Sequence, residues 1–175
     1  MLRLMLLRHA KAEPGAAMAD HQRALNALGI QQAQALGRYM AVEGLVPDLI
    51  LASDALRTHQ TAQEILLLAG GDAPLKLDLA LYVAHPRTLL EAVHATPASV
   101  RALLLVGHNP GLAELADALT GYGDRYAAAR MRQKYPPSGL CVLDFDMETW
   151  QEIAIKTGRL DRYIVPADIG VDAGE

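Results

Sequence analysis

The chain has 175 residues, of which 51% are hydrophobic and 21% charged. That length suits one domain with a core large enough to need neither a disulfide nor a metal staple. The composition excludes a disordered chain, and 14 Gly and 9 Pro without a G-x-y period exclude collagen. A net charge of −4 argues against a nucleic-acid partner. One cysteine, Cys141, allows neither an internal disulfide nor a thiolate metal site, and fits a reducing cytoplasm. Arg3 and Arg8-His9 break the apolar opening before a signal-peptide core can form, and no apolar run approaches the roughly 20 residues of a membrane helix. A soluble, cytoplasmic protein with no membrane partner is expected.

Apolar runs of strand length alternate with segments of helical period, which predicts an α/β fold. Leu2–Leu7 reads as a buried parallel strand. After a polar loop from Glu13 to Arg23, Asn26 caps a helix carrying Ala33, Leu36 and Met40 inward, and Gly44 ends it. Pro47–Ala52 reads as a second strand, Thr58–Ala69 as a helix closed by Gly70-Gly71, and Leu75–Leu77 as a short strand. Pro86 opens a helix with Leu89, Leu90 and Val93, which ends before Pro97. Ala102–Val106 is the clearest buried strand. Asn109-Pro110 reads as N-cap and first residue of a helix bearing Leu112, Leu115, Ala116 and Leu119. Leu140–Phe145 and Trp150–Ile155 are expected to pair as a terminal hairpin. The expectation is a single domain over residues 1–167 with a flexible tail at 168–175. The fold class expected is a three-layer α/β/α sandwich around a mainly parallel sheet.

Three strand ends carry polar residues competent for phosphate: Arg8-His9, Ser53–Arg57 and Gly107-His108-Asn109. Loops at the carboxyl ends of parallel strands share one edge of the sheet, so these segments converge. Arginine offers a planar, permanently charged fork for phosphate oxygens, and helix N-termini add oriented N–H groups. Histidine serves as nucleophile, proton carrier or cationic donor. Ser53 lacks a nucleophile elbow, and Cys141 sits inside a strand pattern.

At these residues the sequence resembles the histidine phosphatase, or phosphoglycerate-mutase-like, superfamily. Leu7-Arg8-His9-Ala10-Lys11 resembles its Arg-His signature. Ser53–Ala62, with Arg57, resembles its second motif, and Val106-Gly107-His108-Asn109-Pro110 its third. Leu25–Gly29 is similar to its helix start, and the likeness runs to about Phe145. The resemblance implies a phosphoglycerate-mutase-like fold and a phosphatase without cofactor or metal. His9 would become phosphohistidine, and Arg8, Arg57 and His108 would hold the phosphoryl oxygens and supply positive charge.

Many members carry an acid that protonates an ester leaving group, and Leu77–Ala84 offers only Asp78, not placed like that acid. A phosphoramidate needs much less such help. The expected branch is therefore the small, cap-less, SixA-like one, with phosphohistidine on a signalling protein as partner. A small-molecule phosphomonoesterase or mutase is the alternative, favoured by a carboxylate such as Glu13, Asp54 or Glu91 near the leaving group. A non-catalytic phosphoprotein-binding module is the other. Arg23 reads as a substrate contact or an exposed loop arginine, and Lys11 shares that ambiguity. Asn109 reads as a helix cap or a substrate contact. Glu91-x-x-His94 occurs once and reads as a solvated face, as does the basic stretch Arg125–Lys134. Ser138 is a further residue that could approach the pocket.

Overall fold

The computed structural model describes residues 1–15 and 17–174. In chain order it runs β1 (Leu2–Arg8), α1 (Ala27–Val42), β2 (Leu49–Ser53), α2 (Leu56–Leu68), β3 (Leu75–Asp78) and α3 (Pro86–His94). Then come β4 (Ala102–Gly107), α4 (Gly111–Leu119), β5 (Thr120–Gly123), α5 (Arg125–Gln133), β6 (Leu140–Phe145) and β7 (Gly158–Ile164). These strands form one sheet in the order β3-β2-β4-β1-β6-β7-β5. The pairs β3/β2, β2/β4, β4/β1 and β7/β5 are parallel, while β1/β6 and β6/β7 are antiparallel.

The centre of the sheet explains the continuous apolar run of β1. Leu2, Leu4 and Leu6 face one core layer with Leu103 and Leu105, against α3, α4 and α5. Met5 and Leu7 face the other with Leu104 and Val106, against α1 and α2. Strand side chains alternate between faces, so a strand covered on both must be apolar at nearly every position. The three-layer expectation is met, and the chain ends of β1, β2 and β4 lie side by side.

Several local signals act as the sequence predicts. Asn26 caps α1, accepting a 2.8 Å hydrogen bond from Gly29 N. Gly29 also lets α1 press on the loop after β1, since a Cβ there would lie 1.9 Å from Lys11 O. Any larger residue would push that loop, and the histidine beginning it, out of place.

Other expectations need correction. The partner of β6 is β7, not Trp150–Ile155. Trp150–Glu152 forms a 3-10 turn whose indole is fully buried and donates to Val100 O at 2.7 Å. The aromatic-apolar run that looked like a strand is thus a core plug. Strand β5 was not foreseen, because its Thr-Gly-Tyr-Gly sequence has little strand character. The basic stretch, expected as a solvated face, is indeed largely a helix, α5, and two of its three arginines are paired: Arg130 with Asp168 and Arg132 with Asp117. A 3-10 turn at Pro166–Ile169 crosses the expected domain boundary, and Gln32 Nε2 donates to Asp172 O at 2.9 Å. Among the described residues, no helix is long and apolar enough to cross a membrane.

Candidate active site

His9 follows β1 and is 8% exposed. Its Nδ1 lies 2.7 Å from Ala10 O. A carbonyl only accepts, so this contact places the proton on Nδ1 and leaves the lone pair on Nε2. Burial is the main reason the ring's pKa falls from 6.5 to about 3, with His108, Arg57 and Arg8 adding to the shift. At neutral pH His9 is therefore an uncharged imidazole with a free Nε2. Its backbone is held too, since Ser138 N donates to both Arg8 O (3.1 Å) and His9 O (3.0 Å). Ser138 does so at φ 64°, a strained value for a residue with a Cβ. Its place is thus against the backbone of the first motif.

Thr61 ties the first motif to the second. Ala10 N donates to Thr61 Oγ1 at 3.0 Å, and that hydroxyl donates to Arg57 O at 2.7 Å. Arg57, in the first turn of α2, is 3% exposed. Its Nη1 donates to Asp20 O at 2.7 Å, and its Nη2 to Asp20 Oδ2 at 3.0 Å and towards His108 Nδ1 at 3.4 Å. Arg8 is held on the other side by Tyr135 O, 3.0 Å from its Nη1. Tyr135 is itself locked by its hydroxyl, which donates to Leu6 O. The Nε donors of both arginines are buried without an acceptor among the described residues.

His108 stands after β4 with its ring centroid 5.4 Å from that of His9. Arg57 can only donate, so His108 Nδ1 accepts and Nε2–H points at Ser53 Oγ, 2.7 Å away. Burial, then the Arg57 charge, lowers its pKa to about 4. His108 is therefore neutral at pH 7, whereas the resemblance implied a positive charge; an arriving phosphoryl dianion would favour the imidazolium. Ser53, excluded above as a nucleophile, orients this ring. Thr58 Oγ1 in turn donates to Ser53 O at 2.8 Å.

Arg8, His9, Arg57 and His108 thus come together, and two predicted residues do not join them as contacts. Arg23 is bonded to Asp20 Oδ1 (3.0 Å) and Glu13 O (2.9 Å), so it braces the loop. Asn109 is not the N-cap of α4, a place taken by Pro110. It sits one residue earlier, accepting from Ala113 N at 3.2 Å and donating to Tyr135 O at 2.9 Å. Asp20 and Tyr82 were overlooked. The Tyr82 hydroxyl donates to Asp20 Oδ2, and its ring stands edge-on to His108, centroids 5.4 Å apart. Hydrogen bonds from Tyr82, Arg23 and Arg57 hold the Asp20 carboxyl far below the usual range. The only hint in the sequence was the Asp20-x-x-Arg23 spacing.

Two histidines and two arginines at one sheet edge define an α/β site built for an oxyanion. The chain belongs to the histidine phosphatase superfamily: the sequence model of its branch 1 matches residues 4–82. An uncharacterized Mycobacterium leprae protein is 32% identical over 165 residues, covering 91% of this chain and 99% of that one. A crystal structure from Agrobacterium tumefaciens, bearing the name phosphohistidine phosphatase SixA, is 31% identical with a TM-score of 0.79. It covers 94% of this chain and 98% of the other. The protein histidine phosphatase SixA complexed with tungstate shares the fold at 18% identity, with a TM-score of 0.77, covering 96% of this chain and 99% of its own. By class, the chain is a phosphatase of SixA-like architecture.

Proposed function

We propose that this phosphatase works through a phosphohistidine on His9 and that its substrate is phosphohistidine on a protein. The observation that carries the reading is the orientation of His9. Its Nδ1–H is fixed on Ala10 O, so the Nε2 lone pair is the nucleophile. Nε2 attacks phosphorus as the bond to the leaving group breaks. The unpaired Nε–H groups of Arg8 and Arg57 lie buried beside it, ready to donate to phosphoryl oxygens as charge develops. His108 adds a donor once the dianion raises its pKa. Water then attacks the phosphohistidine, the P–N electron pair returns to Nε2, and phosphate leaves. Because Nδ1 keeps its proton throughout, His9 departs as neutral imidazole without further acid.

The choice of a phosphoramidate rests on the carboxylates. Asp20, beside Arg57, stays ionised and donates no proton. Asp54 faces His21, whose Nε2 is 2.8 Å from Asp54 Oδ1. An alkoxide leaving group would lose the benefit of general acid catalysis, typically about 10²–10⁴-fold. The test compares phosphate release from a phosphohistidine-bearing protein and a panel of alkyl phosphates, with His9→Ala as the blank. Strong, His9-dependent preference for phosphohistidine is expected. Preference for an alkyl phosphate would overturn the substrate, leaving the nucleophile in place.

A further inference from the structure

The rim of the site differs chemically from its floor. His9 lies at the floor, 8% exposed, while the Asp20 side chain is 50% exposed and overlies the Arg57 guanidinium. Beside Asp20 stands Tyr82, its ring edge-on to His108 and 5.9 Å from Arg57 Cζ. His21 packs on Tyr82 with centroids 4.3 Å apart. The floor is thus cationic, and the rim is aromatic with an ionised carboxylate. In-line attack from Nε2 sends the leaving group away from the floor, towards this rim.

We propose that Asp20 is a specificity-determining residue whose carboxylate, with the Tyr82 ring beside it, favours a cationic aromatic leaving group over an anionic one. Resting on the phosphohistidine reading above, this names the form of substrate the site takes: the ring protonated on its second nitrogen. When the P–N bond breaks, its electron pair returns to the ring nitrogen and neutral imidazole leaves with the proton it brought. The protein supplies no proton, and the positive charge that the substrate ring loses on departure is the charge Asp20 attracts on arrival. An alkoxide or phenolate would instead gather negative charge against Asp20, which has no proton to give.

Asp20 also touches Arg57, so a purely positioning role has to be separated. The backbone helps here, because Arg57 Nη1 donates to Asp20 O at 2.7 Å, a bond that side-chain replacement leaves in place. Asp20→Asn, with its amide oxygen in the place of Oδ2, keeps an acceptor for Arg57 and Tyr82; it removes the charge and the acceptor for Arg23 Nε, which lies on the exposed side.

The experiment measures kcat/KM of wild type and D20N on phosphoimidazole and on p-nitrophenyl phosphate, with inhibition by inorganic phosphate on both enzymes. The expected result is a crossover. Activity on phosphoimidazole falls about tenfold, and activity on p-nitrophenyl phosphate rises about two- to threefold, as a like charge near the phenolate is removed. Inorganic phosphate binds D20N as tightly as wild type or tighter. Equal loss on both substrates, with weaker phosphate binding, would mean that Asp20 serves only to hold Arg57, and would overturn the proposal. No change on either substrate would overturn it too. A wild-type enzyme that prefers the aryl phosphate would refute the phosphohistidine reading instead, while the D20N crossover still reports on the leaving-group role.

Discussion

The two arginines of the site are held in opposite ways. Arg8 is fixed by a neutral acceptor, Tyr135 O, and no carboxylate among the described residues pairs with it. Burial lowers its pKa, so its charge is costly and uncompensated. Arg57 is more deeply buried than the half-buried Arg8, yet it is clasped by the Asp20 carboxylate at 3.0 Å. A buried charge without a counterion is a strong pointer to a ligand that brings one. On the proposed function, Arg8 is the committed half of the anion site, and Arg57 the exchangeable half, where phosphoryl oxygens would compete with Asp20.

The sharpest way to break this contrast is a double-mutant cycle. Arg8→Ala and Arg57→Ala should each lower kcat/KM by about 10²–10³-fold, the range for losing one oriented donor to a transition-state oxyanion. Adding D20N should tighten inhibition by inorganic phosphate, which has no leaving group, about tenfold in the Arg57→Ala background, where the carboxylate is left facing phosphate, and change it little in the Arg8→Ala background. Equal tightening in both, by steady-state kinetics, would show that Asp20 does not distinguish the two arginines.

The pH dependence of stability tests the same electrostatics without substrate. His9 and His108 have pKa values of about 3 and about 4, below the ordinary 6.5, so the unfolded chain binds more protons between those values. Their contribution is complete above about pH 6.5 and is lost as the pH falls towards 4 and then 3. Each group adds a limiting slope of about 1.4 kcal/mol per pH unit. Urea unfolding between pH 7 and 4.5 should show the decline, and His108→Asn should remove roughly half of it. A flat profile would refute the neutral pair.

A smaller effect is expected where the two motifs join. Thr61→Val removes the acceptor for Ala10 N and the donor to Arg57 O, and should destabilise by about 1–3 kcal/mol in urea unfolding. A change below about 0.5 kcal/mol would mean that the bridge contributes little.

Much of the fold was legible because its signals are local. The apolar run of β1, the Asn26 cap and the Pro86 helix start each depend on neighbouring residues. The pairing of β6 with β7 was not, since Trp150 lies in an apolar run like a strand's, and only tertiary packing turns it into a plug under Val100. In the candidate site, the grouping of Arg8, His9 and His108 was legible from residue type after a strand, and that of Arg57 from its place in the helix that follows β2. Asp20, Tyr82 and Tyr135 were not. They reach the site from the start of one 3-10 turn, the end of another and the segment after α5, with only the Asp20-x-x-Arg23 spacing to hint at the first. Arg23 and Asn109 carried the right chemistry, but their hydrogen bonds go to the scaffold.

The central claim is that phosphorus passes through His9 Nε2. Rapid quenching of the enzyme with radiolabelled phosphoimidazole, followed by peptide mapping, tests it directly. The account predicts an acid-labile, alkali-stable label on the peptide containing His9, formed and lost at rates consistent with turnover and absent from His9→Ala. Full turnover by His9→Ala, or a label on another residue of the wild-type enzyme, would contradict it.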